Sequence, residues 1–295
     1  MNKYLFLLLI TFFNFLFSHS HAQIKSDTID IYLIETRDGN QYIGEILYRD
    51  SESVILKTEQ LGEINIKRKD IKRIELVKTE RMIGEEYWFE NPQATRYFWS
   101  PNGYGLKKGE GYYQNVWILF NQFSVGITDN VSLGAGFVPL FLFGGAPTPV
   151  WITPKVSVPL VKDKFNIGIG ALAGAVISVS DGGGTFGILY GTTTFGSRDK
   201  NVSLGLGYGF IDGKLADIPA INIGVMIRTG KRGYFLSENY IIPTDPTLVL
   251  LSFGGRSIIQ KVGLDYGLFI PIAEDIIEFV AIPWLGLTIP FGRKN

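Results

Sequence analysis

The feature that most constrains this chain is a strand pattern that recurs through its last two thirds. Every second residue is large and apolar, and the residues between are glycine, serine or another small or polar side chain. In Val202–Phe210 the residues Val202, Leu204, Leu206, Tyr208 and Phe210 alternate with Ser203, Gly205, Gly207 and Gly209. Phe165, Ile167, Ile169 and Ala171 oppose Asn166, Gly168 and Gly170. Val131, Leu133, Ala135 and Phe137 oppose Ser132, Gly134 and Gly136. Ile221, Ile223, Val225 and Ile227 oppose Asn222, Gly224 and Arg228, and Val262 to Ile270 repeats the rule around Gly263, Asp265 and Gly267. A period of two is the signature of a strand. Glycine weakens a strand and packs nothing, so a soluble sandwich would set larger apolar residues on its inner face. Large apolar residues outside and small ones inside is the polarity of a transmembrane barrel.

Mean hydropathy is positive at +0.16, yet beyond the N-terminus no run of about 20 apolar residues occurs that could form a spanning helix. The 35 glycines fit a crowded barrel interior. Apolar runs of about 10 to 15 residues separate the turns, enough for a tilted membrane strand. Short charged turns at Thr128–Asn130, Lys162–Lys164, Ser197–Lys200, Gly230–Gly233 and Arg256–Lys261 alternate with those at 143–149, 180–184, 212–218, 243–247 and 273–276. Strands are expected near 94–101, 112–127, 131–143, 150–160, 165–179, 185–196, 202–211, 218–229, 234–243, 247–255, 261–271 and 277–291. That makes about 12, or about 10 if 94–101 and one other lie outside the membrane; an even number returns both ends to one side.

The N-terminus reads as an address. Lys3 precedes an apolar run from Tyr4 to Phe17, and Ser20 and Ala22 hold the −3 and −1 places of a cleavage site, leaving Gln23 first in the exported chain. Residues 1–22 are therefore a signal peptide. Residues 23–77 form a small β module of five short strands, 78–93 a linker with one helical turn near Arg81 to Tyr87, and 94–295 the barrel. In the module, Asp38-Gly39, Gly44, Asp50, Ile55-Leu56 and Gly62 to Ile66 resemble the spacing of an SH3-like or Sm-like barrel. The fold class expected is thus all-β: an antiparallel transmembrane barrel of about 12 strands after an SH3/Sm-like module.

Composition removes most chemistry. There is no Cys, and both His, His19 and His21, fall in the signal peptide. The exported chain lacks the thiol nucleophile and the commonest general base and metal ligand. No catalytic, cofactor-binding or metal-ligating set is expected. Gly168 to Gly174 has neither the spacing nor the strand–turn–helix context of a nucleotide loop, and Asp181-Gly182-Gly183-Gly184 reads as a flexible loop. With 28 basic and 28 acidic side chains, nothing marks a nucleic-acid binder. The cluster Lys67, Arg68, Lys69, Lys72 and Arg73 is interleaved with acids and reads as a solvated strand face.

Tyr97 to Pro101, Leu106 to Asn115 and Gly126 to Asn130 resemble a family of outer-membrane β-barrel proteins from the Bacteroidota. Membership implies the fold and the outer membrane, with the module in the periplasm, and little about a substrate. The last strand, Trp284 to Phe291, resembles the signal read by the barrel-assembly machinery. Partners expected are that machinery, outer-membrane lipids, and a periplasmic protein met through the module. The polar strand residues Arg96, Gln122, Lys155, Asn222, Arg228, Glu238 and Asp265 are expected to line the lumen. They would either fill it with an internal ion-pair network or line a polar pathway. Two functions follow: a narrow channel for small solutes or lipids, or a non-conducting barrel that anchors the module.

Overall fold

The computed structural model describes residues 30–59, 61–77, 82–83, 86–139, 146–177, 183–259, 261–276 and 278–292. The signal expected at 1–22, Asp181-Gly182 and part of the 143–149 turn lie outside them. The chain divides into two units, Met1–Glu80 and Arg81–Asn295.

In the first unit, β1 (Ile31–Thr36), β2 (Gln41–Arg49), β3 (Ser53–Thr58), β4 (Gly62–Lys67) and β5 (Ile71–Val77) pair antiparallel in the order β4-β3-β2-β1-β5. Period-two alternation buries Ile34, Val54, Leu56 and Ile66 as one cluster. The β2–β3 turn is closed by Asp50, whose carboxylate accepts the backbone N–H groups of Ser53 and Glu52, each at 2.7 Å. The Ser53 and Glu52 bonds hold Asp50 below the usual aspartate range. A lowered folded pKa gives a contribution that is complete above the unfolded value of about 3.9 and fades as pH falls through the folded one. In an NMR titration of the full chain, Asp50 should titrate below that value. The amide signals of Glu52 and Ser53 should follow it, and Asp50→Ala should show the acid-form amide shifts already at neutral pH.

In the second unit the expected helical turn is instead a ribbon of β6 (Met82–Ile83) and β7 (Glu86–Tyr87). The barrel comprises β8 (Glu110–Val116), β9 (Phe120–Gly126), β10 (Val131–Phe137), β11 (Thr148–Ile152), β12 (Lys155–Val161), β13 (Phe165–Ile177), β14 (Thr185–Gly196), β15 (Lys200–Ile211), β16 (Lys214–Leu215), β17 (Ala220–Arg228), β18 (Gly233–Ile242), β19 (Leu248–Ile259), β20 (Val262–Ile272) and β21 (Ile282–Gly292). β11 and β12 both lie between β10 and β13 and are the halves of one strand interrupted at Pro154. β16 is a two-residue appendage of β15. The remaining neighbours are antiparallel, and the β21–β8 and β9–β10 pairings close a ring of twelve strands.

The count agrees with the sequence expectation, but several boundaries do not. Residues 94–101 are not a barrel strand; they lie inside the barrel. Residues 112–127 are not one strand but the β8–β9 hairpin. Its turn, Trp117-Ile118-Leu119, places Trp117 and Ile118 at φ 51° and 66°. Asn115 braces it, its side chain accepting from the Ile118 N–H and donating to the Ile118 carbonyl.

Alternation sends the large residues outward. Ile169 is 65 % exposed, Leu204 52 % and Phe253 50 %. Apolar surface left in water forgoes about 25 cal/mol per Å², so a full ring of such residues belongs in lipid. Within lipid every backbone group must be bonded internally. The β18–β19 ladder breaks between Leu236↔Gly254 and Tyr240↔Leu250, and side chains fill the break. Asn239 accepts from the Ser252 N–H at 2.9 Å, Ser237 donates to the Ser252 carbonyl at 2.7 Å, and Ser252 exchanges bonds with the backbone of Glu238.

Candidate functional site in the barrel lumen

The barrel's core is a piece of its own chain. Tyr97 and Phe98 are fully buried among Val116, Met226, Tyr234, Leu236, Ile258, Phe269 and Trp284, all seven from the wall. The inner-face glycines are the seats. A Cβ on Gly224 would come 2.1 Å from the Tyr97 ring, and one on Gly267 would come 2.9 Å from Phe98. Residues 91–104 therefore act as a plug. Asn102 turns it back on itself, its N–H donating to the Thr95 carbonyl and its side chain to that of Ala94, each at 3.0 Å.

Three polar anchors hold the plug. The first is Arg256, fully buried, which makes six hydrogen bonds. Two are a bidentate pair with Asp265 at 2.6 and 2.8 Å; the others reach the Asn91 side chain, the Gln93 carbonyl and side chain, and the Tyr97 carbonyl. Buried pairs of this geometry are the strong ones. The second is Glu238. One carboxylate oxygen accepts the consecutive N–H groups of Phe98, Trp99 and Ser100, each at 2.9 Å, and the other accepts the Tyr240 hydroxyl at 2.6 Å. Successive N–H groups converging on one oxygen form an anion-holding nest. The third is a hydroxyl group: Tyr97 donates toward Asn201 and Ser203, at 2.8 and 2.6 Å.

The candidates named from sequence fall as follows. Arg96 belongs to the plug and not to a strand, and it donates to the Tyr112 hydroxyl at 2.6 Å and the Trp99 carbonyl at 2.9 Å. Gln122 points inward and accepts from the Trp151 ring N–H at 2.9 Å. Lys155 points inward and donates to the Tyr104 carbonyl. Asn222 accepts from Ser100 at 2.8 Å. Glu238 and Asp265 are the two anchoring carboxylates. Arg228 sits at the short-turn rim, where it pairs with Asp199 at 2.8 Å, bonds the Phe89 carbonyl and lies 5.0 Å from the Trp88 ring. Lys155, Asn222 and Glu238 bond the plug directly, Asp265 does so through Arg256, and Gln122 bonds within the wall.

Sequence reasoning missed Arg256, because it read Arg256–Lys261 as a charged turn, whereas β19 runs on to Ile259. It also missed Asn91 and Gln93. The segment expected as linker continues into the barrel, with both residues buried. Arg256 has one legible signal: it lies at an even spacing from Ser252 and Leu250, on the inward face.

No protein-family model and no curated protein matches the chain. Among solved structures it is similar to the CymD monoaromatic hydrocarbon channel, with 10% identity over 88% of this chain and 86% of that one and a TM-score of 0.34. It is similar also to the outer-membrane expressed OmpT of Vibrio cholerae, with 11% identity over 92% and 100% and a TM-score of 0.33.

Proposed function

We propose that this chain is an outer-membrane barrel, closed at rest by its residues 91–104, which holds its N-terminal β module at the membrane. The observation that supports this most is the anchoring of the plug: the bonds of Arg256 to Asn91, Gln93 and Tyr97 and those of Glu238 to Phe98, Trp99 and Ser100 would have to be unmade together for the lumen to open. Each buried polar group left without its partner costs about 1–3 kcal/mol, and losing several at once is too much for a frequent fluctuation. The first and last barrel strands both end at the short-turn rim, the rim that faces the periplasm in single-chain bacterial barrels. The chain enters the lumen from that rim, where Arg228 and the Lys231 carbonyl hold Phe89. In this reading the module meets a periplasmic protein, and β21, which closes the barrel against β8, is the strand read by the assembly machinery.

One observation favours a transport reading beside it. The plug leaves a cavity of about 130 Å³ between itself and β13, β14, β15 and β17, so a solute could occupy the lumen once the plug moved. Planar-bilayer recording of the full chain separates the two. The closed barrel should give no conductance steps at ordinary voltages, and a steady open conductance would sink the anchoring reading.

A further inference from the structure

Arg96 of the plug and Lys155 of the wall are basic side chains, each more than nine-tenths buried. Their hydrogen-bond partners are all neutral: Tyr112 and Trp99 for Arg96, Tyr104 for Lys155. Among the described residues neither makes an ion pair. Glu238, a carboxylate inside the barrel, is turned to three backbone N–H groups and the Tyr240 hydroxyl. A buried guanidinium with no anion against it is costly unless something supplies one.

Both border a gap of about 20 Å³, and Arg96 also borders the larger cavity of about 130 Å³. The cavity's lining also includes apolar surface from Trp99, Leu172 and Ile188. Thr192, also on the wall, is buried, and its hydroxyl has no partner. A space of roughly 150 Å³ with apolar walls accepts one benzene ring. We infer that this cavity binds a small carboxylate with an apolar body, a single ring or a chain of a few carbons. The carboxylate would meet Arg96, and the body would lie against Trp99, Leu172 and Ile188. The site stands whether or not the plug ever opens.

Calorimetric titration of the full-length chain in detergent micelles tests it, with benzoate as probe and benzyl alcohol as its uncharged counterpart. Benzoate should bind saturably at one site, at least about tenfold more tightly than benzyl alcohol, the margin of a charge-assisted hydrogen bond. Arg96→Gln should erase that preference. Gly205→Leu leaves Arg96 in place, and its Cβ would meet nothing nearer than 3.5 Å. The rest of its side chain would fill the cavity and abolish binding of both probes. If Arg96→Gln fails to fold, the two probes and Gly205→Leu still decide. No benzoate binding, equal affinity for the two probes, or unchanged benzoate affinity in folded Gly205→Leu would each overturn the proposal.

Discussion

Replacing Arg256 with Met is expected to lower the unfolding free energy by about 3–5 kcal/mol, because it leaves Asp265 charged, fully buried and unpaired. The same change strips hydrogen-bond partners from Asn91, Gln93 and Tyr97, so both ends of the plug's entry segment loosen at once. The double variant Arg256→Met with Asp265→Leu should recover a good part of the loss. Replacing a whole buried pair by apolar residues of similar volume is often close to neutral. Denaturant unfolding in micelles, followed by tryptophan fluorescence, reads both. A double variant as unstable as the single one would mean that the bonds to the plug, rather than the orphaned carboxylate, dominate.

Glu238→Leu should act on the plug more than on the wall. It removes the acceptor for three consecutive N–H groups at Phe98, Trp99 and Ser100. Each donor left buried without a partner costs about 1–3 kcal/mol. The wall at this point keeps its own support, since Ser252 bonds the backbone of residue 238 and not its side chain. The expected result is a barrel that still migrates as a folded species but conducts in planar bilayers, with the plug's tip out of its seat. Glu238→Gln, which keeps one acceptor oxygen, should fall between this variant and the parent.

The wall was legible in the sequence, and the plug was not. Lipid forces the outer face to be apolar, and that constraint writes a period of two into most strands from Val131 onward. The plug carries no such period. Arg96 to Ser100 is aromatic and apolar enough to pass for a strand, and only its burial inside the ring shows otherwise. The β8–β9 turn was hidden for the opposite reason. Trp117 and Ile118 take left-handed φ values without the glycine or asparagine that usually announces them; the asparagine that supports the turn, Asn115, stands before it. Around Glu238 the alternation blurs because Ser237 and Asn239 face outward, where they fill the broken ladder. The glycines were read correctly as an inner face, but their purpose differs in part from simple crowding. Gly224 and Gly267 are sockets for Tyr97 and Phe98.

The claim that residues 91–104 fill the lumen can be measured directly because the chain has no Cys, so one introduced thiol is read without background. Ser100→Cys, in intact outer membranes, should resist a membrane-impermeant maleimide while the barrel is folded and react fully once it is heat-denatured. The same thiol combined with Glu238→Leu should become reactive in the folded barrel. Rapid labelling of Ser100→Cys alone, in folded protein, would contradict the account, since it would place an open lumen where the structure places the plug.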